Sequence, residues 1–471
     1  MIVSKPIYHQ ARVEIEALTP HGVHAGHGDT THDVLLVRDA NGLPYLPATG
    51  LAGVLRHLCR EKYGEQLEQE LFGYVKGEQG QASLVQLTAG VVHNQHNQPC
   101  EGLLNEPGHD AVLALLLQDK PLVRQRVRLN EMGSAAHTGK FDVTCVPAGV
   151  RYSFFIGYWS DESGREHFDR LLALLGSAGF RLGHGTRSGH GAFKVNQLQK
   201  ASWDLTTVQG REGYLQRSRS RASSEGLADF ILTESADNAL KADLQLKAES
   251  GWRIGGGEQA FSDPDERGKV PDLVPQSEAR ILWQGDKAVV VLKQPVVPAS
   301  AVKGALAHRF AYHYRCLTGQ FLNSAANAVE TDNQQLEGVK ELFGFASDSD
   351  LSGAAGALVI DDIYLDQPVV ARQTHNKIDQ FTGGVISGAL FEEEFFWQTP
   401  LSLSLNILRP ERISAQSREA LKRTLEDLCE GFLPLGAGCS RGLGAFIAQQ
   451  GVKWSDQGNW IEGYDSKESI E

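Results

Sequence analysis

From Tyr8 to Leu18 the run YHQARVEIEAL alternates apolar and polar residues, the period of a half-buried β-strand. The rhythm then changes. ATGLAGVLRHLCREKYGEQLEQELF (48–72) places apolar residues at helical spacing, with Thr49 as a candidate cap. ASLVQLTAGVV (82–92) and VRYSFFIGYW (150–159) predict strands, EHFDRLLALLGSAG (166–179) an amphipathic helix, and GAFKVNQLQ (191–199) a closing strand. The second half repeats the order with LKADLQLKA (240–248), ASAVKGALAHRFAYHYR (299–315), GALVIDDIYL (356–365), LSLSLNILR (401–409), REALKRTLEDLCEGF (418–432) and GAFIAQQ (444–450). Strand, helix, strand, strand, helix, strand is the ferredoxin-like βαββαβ arrangement, so the expected fold is α+β with two tandem domains.

Shared segments strengthen the duplication. LGHGTRSGHGAF (182–193) matches LGAGCSRGLGAF (435–446) without a gap, sharing leucine, four glycines, alanine and phenylalanine. LPATGLAGVLRH from Leu46 parallels VPASAVKGALAHR from Val297, and ELFG recurs at Glu70–Gly73 and Glu341–Gly344. Four features in one order mark a repeat. The expected boundaries are a first domain at 1–199, a linker at 200–238, a second domain at 239–455 and a flexible tail at 456–471. Each half carries an insertion between its second and third strands, at about 93–144 and at 371–396.

Composition is that of a globular protein, with 41% hydrophobic and 22% charged residues. No apolar run has the length of a membrane span and the first residues lack a signal-peptide pattern, so a cytoplasmic location is expected. The six cysteines show no C-x-x-C spacing, which favours reduced thiols over a structural zinc site. A net charge of −13 argues against a general polyanion binder but leaves room for a narrow basic groove. Arg124, Arg126 and Arg128 alternate in VRQRVRL, which a strand would place on one face; Arg217, Arg219 and Arg221 lie in a serine-rich stretch.

The glycine loops could bring backbone amides to phosphate oxygens. Neither has the Walker lysine, and both follow a helix and precede a strand, which excludes the Rossmann context. The run HGVHAGHGDTTHD (21–33) fits neither H-E-x-x-H nor H-x-H-x-D-H, so its histidines predict no firm metal site.

With these loops, the P-A-S-A-V-K-G helix start at 298–304, its counterpart P-A-T-G-L-A-G at 47–53 and both L-F-G motifs, the chain resembles the RAMP superfamily. The resemblance is closest to the backbone-subunit branch of type III CRISPR effector complexes, the Cas seven group, and to fused subunits of type III-D variants. NKIDQFTGGVISGALFEEE and, more loosely, RLNEMGSAAHTGKFDV match that group's thumb, with Met132 and Phe381 as thumb residues.

The resemblance implies a guide-RNA-binding subunit that acts with other RAMP and large effector subunits, and no membrane. It implies RNA contacts by Thr49, Arg56, Arg126, Arg128, Gly183, Gly185, Arg187 and Gly189 in the first half. In the second half it implies Ser300, Lys303, Gly304, Gly436, Gly438, Ser440, Arg441 and Gly442. It further implies cleavage of single-stranded target RNA by an aspartate in the loop after the first strand. HDVLLVRDANGLPYLPATG assigns that role to Asp33; in the second half Asp272 is the first candidate and Asp286 the alternative. A divalent cation, Mg or Mn, would assist, and no organic cofactor is implied. The alternatives are a non-cleaving RNA scaffold, a guide-processing endoribonuclease of the same superfamily, and a metallohydrolase built on the histidine run.

Overall fold

The computed structural model describes residues 5–24, 35–129, 135–162, 164–232, 239–264, 266, 268–321, 332–346 and 353–462. In the first half β1 (Ile7–Ala17) leads to α1 (Ala48–Tyr63), whose Leu51, Leu55, Leu58 and Cys59 fall on one face and are buried. Pro47 precedes the first helical residue, so Thr49 lies inside the first turn rather than capping it, and no side chain caps this end. A proline suits that position because the amide hydrogen it lacks would have no helical partner. A second helix, α2 (Glu65–Phe72), ends at Gly73.

The half continues with β2 (Val85–Leu87), the thumb-position hairpin β3 (Leu122–Leu129) and β4 (Ala135–Cys145), then β5 (Arg151–Ser160), α3 (Gly164–Ala173) and β6 (Phe193–Asp204). The sheet order is β6-β1-β5-β2, with all neighbours antiparallel, the order 4-1-3-2 of a ferredoxin-like fold. Ala11, Val13 and Ile15 of β1 are fully buried beneath the helices with Leu55, Leu172 and Phe154. Each of the larger of these side chains contributes about 1.5–3 kcal/mol through burial, and the Ala11 methyl group less.

The closing strand runs to Asp204, past residue 199, and the segment after it folds back on the same sheet. There α4 (Val208–Gln216) and β7 (Ala228–Asp229) lie, with Ala228 paired to Lys200. Tyr214 meets Tyr8 edge-on at 5.2 Å, and the Arg217 guanidinium stacks 3.7 Å over the Tyr214 ring. Arg12 donates to the Arg221 carbonyl, and Glu101 accepts from Ser220 and Arg221. The polar face of β1, which alternation alone would leave to solvent, is therefore covered, and Gln10, Arg12 and Glu14 are all buried.

The second half repeats the plan. It contains β8 (Leu240–Ala248), β9 (Gly251–Trp252), the hairpin β10 (Ser277–Gln284) and β11 (Lys287–Val297), α5 (Ala299–Thr318) and α6 (Glu337–Phe343). Then come β12 (Leu358–Ile360), a second thumb-position pair β13 (Val370–His375) and β14 (Phe391–Trp397), β15 (Leu401–Ile407), α7 (Ala415–Cys429) and β16 (Phe446–Ala448). The order β12-β15-β8-β16 is again 2-3-1-4. Here the alternation has its simple meaning: Ala242, Leu244, Leu246 and Ala248 are buried while Lys241, Gln245 and Lys247 are exposed. Both L-F-G motifs end a helix at a glycine of positive φ, Gly73 at 76° and Gly344 at 84°. A Cβ on Gly73 would lie 2.3 Å from the Gln81 carbonyl oxygen, so no other residue fits. In the segment after residue 455, Trp460 donates to the Pro410 carbonyl and Lys422 pairs with Glu462, anchoring the described part of the tail.

The β10–β11 hairpin joins the halves. Ile281 and Ala288 enter the core of the first domain. Ile281 N donates to Ala148 O at 2.9 Å, Trp283 Nε1 donates to Gly149 O at 2.7 Å, and the Arg151 guanidinium lies 4.0 Å over the Trp283 ring.

Candidate functional site

The two glycine loops are the same structure built twice. Gly183, Gly185, Gly189 and Gly191 have φ of 89°, 71°, 99° and 75°; Gly436, Gly438, Gly442 and Gly444 have 95°, 81°, 81° and 81°. His184 N donates to Gly22 O and Ala437 N to Arg253 O, each at 2.8 Å. A Cβ at Gly183 would meet Gly22 O at 2.4 Å, and one at Gly436 would meet Arg253 O at 2.3 Å. Gly183 and Gly436 are thus required by the packing of each loop on the chain leaving the first strand of its domain.

Those contacts fix a register between the halves, in which Gly22 matches Arg253. Val37 N donates to Val23 O, and Gln276 N donates to Ile254 O, both at 2.9 Å. His24 bridges to Leu36 and Gly255 to Pro275, so the chain leaves and returns at matched positions. Asp33 and the thumb residue Met132 lie outside the described residues. In the sequence Asp33 stands three residues before Leu36, and Asp272 stands three before Pro275. Asp272 is exposed and its carboxylate accepts from Glu392 N at 2.8 Å, with Lys269 Nζ at 3.2 Å. These hold its pKa below the usual value, the Glu392 amide contributing most. Asp286 is placed differently, at the tip of the β10–β11 hairpin, where it accepts from Asn97 Nδ2 of the first domain at 3.0 Å. It belongs to the domain junction and not to the loop that corresponds to Asp33.

The thumb strands also match. Gly251 pairs with Trp397 and Trp252 with Phe396, while His21 pairs with Val146. Within the hairpins Arg126 faces Phe141 and His375 faces Phe391; Arg124 faces Val143 and Gln373 faces Glu393. Arg126 therefore corresponds to His375, and Val143 to Glu393. At the base of the first thumb, Arg126 NH2 lies 3.0 Å from His190 Nε2, and His190 Nδ1 lies 3.8 Å from the Cys145 thiol. Burial and the neighbouring Arg126 push His190 down to about 2, and burial pushes Cys145 up to about 12, so both stay neutral. The His24 and His184 rings are 5.6 Å apart, and His24 Nε2 donates to Thr144 O at 3.0 Å. Burial, His24 and Arg126 lower the pKa of His184.

At the base of the second thumb stands a carboxylate instead. Glu393 is fully buried; its Oε1 accepts from Arg253 Nε at 3.0 Å, and its Oε2 accepts from Arg441 NH2 at 3.0 Å. His375 Nε2 is 3.1 Å from Oε2. Burial alone would raise the Glu393 pKa, but the bonds from Arg253 and Arg441 outweigh it and hold the pKa low. The sequence reading missed His184, His190, Arg253, His375 and Glu393. The available signal was the mismatch between aligned loops, histidine at 184 and 190 against alanine at 437 and leucine at 443.

The remaining expected residues divide. Thr49 and Gly304 are exposed at the helix starts and Ser300 is partly buried. Gly438 and Ser440 line the second loop, and a Cβ on Gly442 would meet nothing within 4 Å. Phe381 is 88% exposed at the tip of the second thumb, beside exposed Ile378 and Val385. Arg56 braces the end of α2, donating to Glu68 and, at 3.0 Å, to Gly73 O. The Arg128 side chain lies outside the described atoms. Lys303 is buried, and its ammonium donates to Arg187 O at 2.8 Å and Leu358 O at 3.0 Å. Burial, with Arg187 and Arg181 nearby, lowers its pKa to about 7.

Lys303 thus joins the first glycine loop to the second domain, and so does Gly189, whose Cβ position falls 2.3 Å from Asp362 Oδ1. His21 and His93 are structural: each is buried and bonded at 2.8 Å, to Tyr152 and Ser153 respectively. Among the described residues no three His, Cys, Asp or Glu side chains converge to hold a metal, and no helix is long and apolar enough to cross a membrane.

Comparison with known proteins agrees with this duplicated architecture. No curated relative matches the sequence at a significant level. Among solved structures, a chain of the Type III-B Cmr-beta complex bound to cognate target RNA is similar at a TM-score of 0.29 and 17% identity, over 41% of this chain and 60% of that one. The sequence profile of the RAMP superfamily matches residues 14–194 and 245–447, one stretch in each half. The chain belongs to the RAMP superfamily, with two ferredoxin-like domains joined head to tail.

Proposed function

We propose that the chain is a guide-RNA-binding backbone subunit of a type III CRISPR ribonucleoprotein, and that it cuts complementary target RNA with Asp33. The observation that supports this most is the duplicated register. In each half an aspartate, Asp33 or Asp272, stands in the sequence three residues before the position, Leu36 or Pro275, where the chain returns to pair with the segment on which the glycine loop packs. The exposed apolar tip around Phe381 suits a side chain that separates stacked bases.

In this reading the 2'-hydroxyl of the target attacks the adjacent phosphorus, and Asp33 accepts its proton. The P–O5' bond breaks and the leaving oxygen takes up a proton, giving a 2',3'-cyclic phosphate and a 5'-hydroxyl. General-base help of this kind contributes about a hundred- to ten-thousandfold, and in-line placement supplies much of the rest. A divalent cation, Mg or Mn, belongs to the same proposal. Mg is commonly held by one or two carboxylates with substrate phosphates, and Asp272, ionised and at the surface, is of that kind. Such an ion would neutralise developing charge when bound. The proposed partners are the guide RNA, single-stranded target RNA, other RAMP subunits and large effector subunits.

The test is target cleavage by the assembled complex. Asp33→Ala is expected to remove cutting at one position while RNA binding persists, and Asp272→Ala to remove a second. Survival of every cut in Asp33→Ala would end the assignment. A non-cleaving scaffold remains a specific second reading for the second domain, because the Asp272 carboxylate is already bonded to Glu392 N and Lys269. In that case Asp272→Ala leaves the pattern of cuts unchanged. Cleavage of repeat RNA by the isolated chain in the presence of a chelator would favour a guide-processing enzyme instead.

A further inference from the structure

The two thumb bases are matched in backbone and opposed in charge. At the first, Arg126 stands with His24 and His184 around the glycine loop, and the position matching Glu393 is Val143. The carboxylate that bears on Arg126 is Asp362, which already holds Arg124 at 2.8 Å and the Ala299 amide at 2.7 Å. At the second, Arg253, Arg441 and His375 converge within 3.1 Å of one fully buried carboxylate, Glu393. A carboxylate that gathers two guanidiniums and an imidazole occupies the place an external anion would take.

We propose that the duplicated sites have diverged in anion binding. The first holds a phosphodiester of RNA through Arg126, with His24 and His184 beside it; the second is closed to anions by Glu393, an internal substitute for the phosphate. This rests on the RNA-binding reading above and adds to it that the phosphate contacts at the thumb base are unequal between the domains. The physical basis is competition. Arg441 cannot serve Glu393 and a phosphate with the same donor, and a phosphate brought beside an ionised buried carboxylate meets like-charge repulsion. At the first site no carboxylate lies within bonding distance of Arg126 among the described residues. Asp362 is taken up by Arg124 and Ala299 N, and the Arg126 NH2 meets only the neutral His190 ring, at 3.0 Å, which a phosphate can replace as acceptor without like-charge repulsion.

Salt dependence counts the contacts. Each phosphate neutralised on single-stranded nucleic acid adds about 0.7 to the slope of log affinity against log salt, roughly fivefold in affinity per tenfold change in salt. The experiment is fluorescence anisotropy of labelled single-stranded RNA with the full chain across a potassium chloride series, each variant first checked for folding by thermal unfolding. Arg126→Ala is expected to shallow the slope by about one contact. Glu393→Gln, which keeps the shape and removes the charge, is expected to steepen it by about one contact, and adding Arg441→Ala to Glu393→Gln is expected to cancel that gain. Val143→Glu, which installs the second domain's acid in the first, should mimic Arg126→Ala.

A wild-type slope in Glu393→Gln, or in Arg126→Ala, would overturn the divergence while leaving RNA binding intact. If the chain bound no RNA at any salt concentration, the RNA-binding reading itself would fall, and this inference with it.

Discussion

Replacing Arg124 by alanine should destabilise the protein in a pH-dependent way. Arg124 comes from the first thumb, yet its guanidinium is buried among second-domain acids, 2.6 Å from Glu278 and 2.8 Å from Asp362. Tyr364 donates to Glu278 at 2.6 Å and Ala299 N to Asp362 at 2.7 Å, so both carboxylates are pinned from the far side as well. Removing one partner of such a buried cluster costs about 3–5 kcal/mol, because the remaining charges are left without compensation. For a chain of 471 residues this is only about 3–5 °C in unfolding temperature.

The pH dependence is the sharper signature. Burial raises the pKa of Asp362 to about 6 even though Arg124 lowers it. The folded state thus holds a proton that the unfolded state has released between about pH 4 and 6, and this contribution to stability is lost as pH rises through that window. Without Arg124 the folded pKa rises further, so the variant's deficit should be largest at pH 8 and shrink on acidification to pH 5.5. Thermal and urea unfolding at both pH values measure this. Adding Asp362→Asn and Glu278→Gln to Arg124→Met should recover part of the loss. A deficit below about 1 kcal/mol, or one independent of pH, would refute the account of this junction.

Lys303→Met should weaken the contact between the first glycine loop and α5 by about 1–3 kcal/mol. Because the folded pKa of Lys303 lies at about 7, below its ordinary value, the wild type should gain stability as pH rises from 7 towards 10; unfolding across that range should show the gain reduced in the variant. Gly183→Ala and Gly436→Ala should each cost several kcal/mol, because the new methyl group would strike a carbonyl oxygen. Gly442→Ala, with the same sign of φ but open space, should cost only about 1–2 kcal/mol in the same unfolding assay. Phe381→Ala should leave thermal stability unchanged, since the ring is exposed, while altering the reactivity of target bases probed at the thumb.

The parts of this molecule that were legible in the sequence depend on local geometry. Alternation in LKADLQLKA reports one buried face, and the four aligned glycines report four positive φ angles, because each feature is decided within a few residues. Alternation in YHQARVEIEAL promised the same open face, and there it misled. Arg12 and Glu14 are buried, and Arg12 donates to the carbonyl of Arg221, about two hundred positions away in the segment that folds back on the sheet. Lys303 reads as a free cation at a helix start until the first glycine loop is seen on top of it. Glu393 sits in FEEEFF, which in one dimension is a solvated charge run, yet the strand turns it inward to meet arginines from two separate loops. In each case the decisive partner is distant in sequence. Duplication partly removes that obstacle, because a position in one half can be read against its counterpart. Glycine against glycine marks what the fold needs, and Val143 against Glu393, or His184 against Ala437, marks where the two halves have separated in chemistry. The same reasoning gives Asp272 its interest: it shares its sequence position with Asp33, and its carboxylate accepts from the amide of Glu392, the residue next to the Glu393 that gathers Arg253 and Arg441 into one cluster. If that cluster governs how closely a phosphate approaches, then Glu393→Gln should strengthen any cleavage that depends on Asp272 and leave the Asp33 cut as it was.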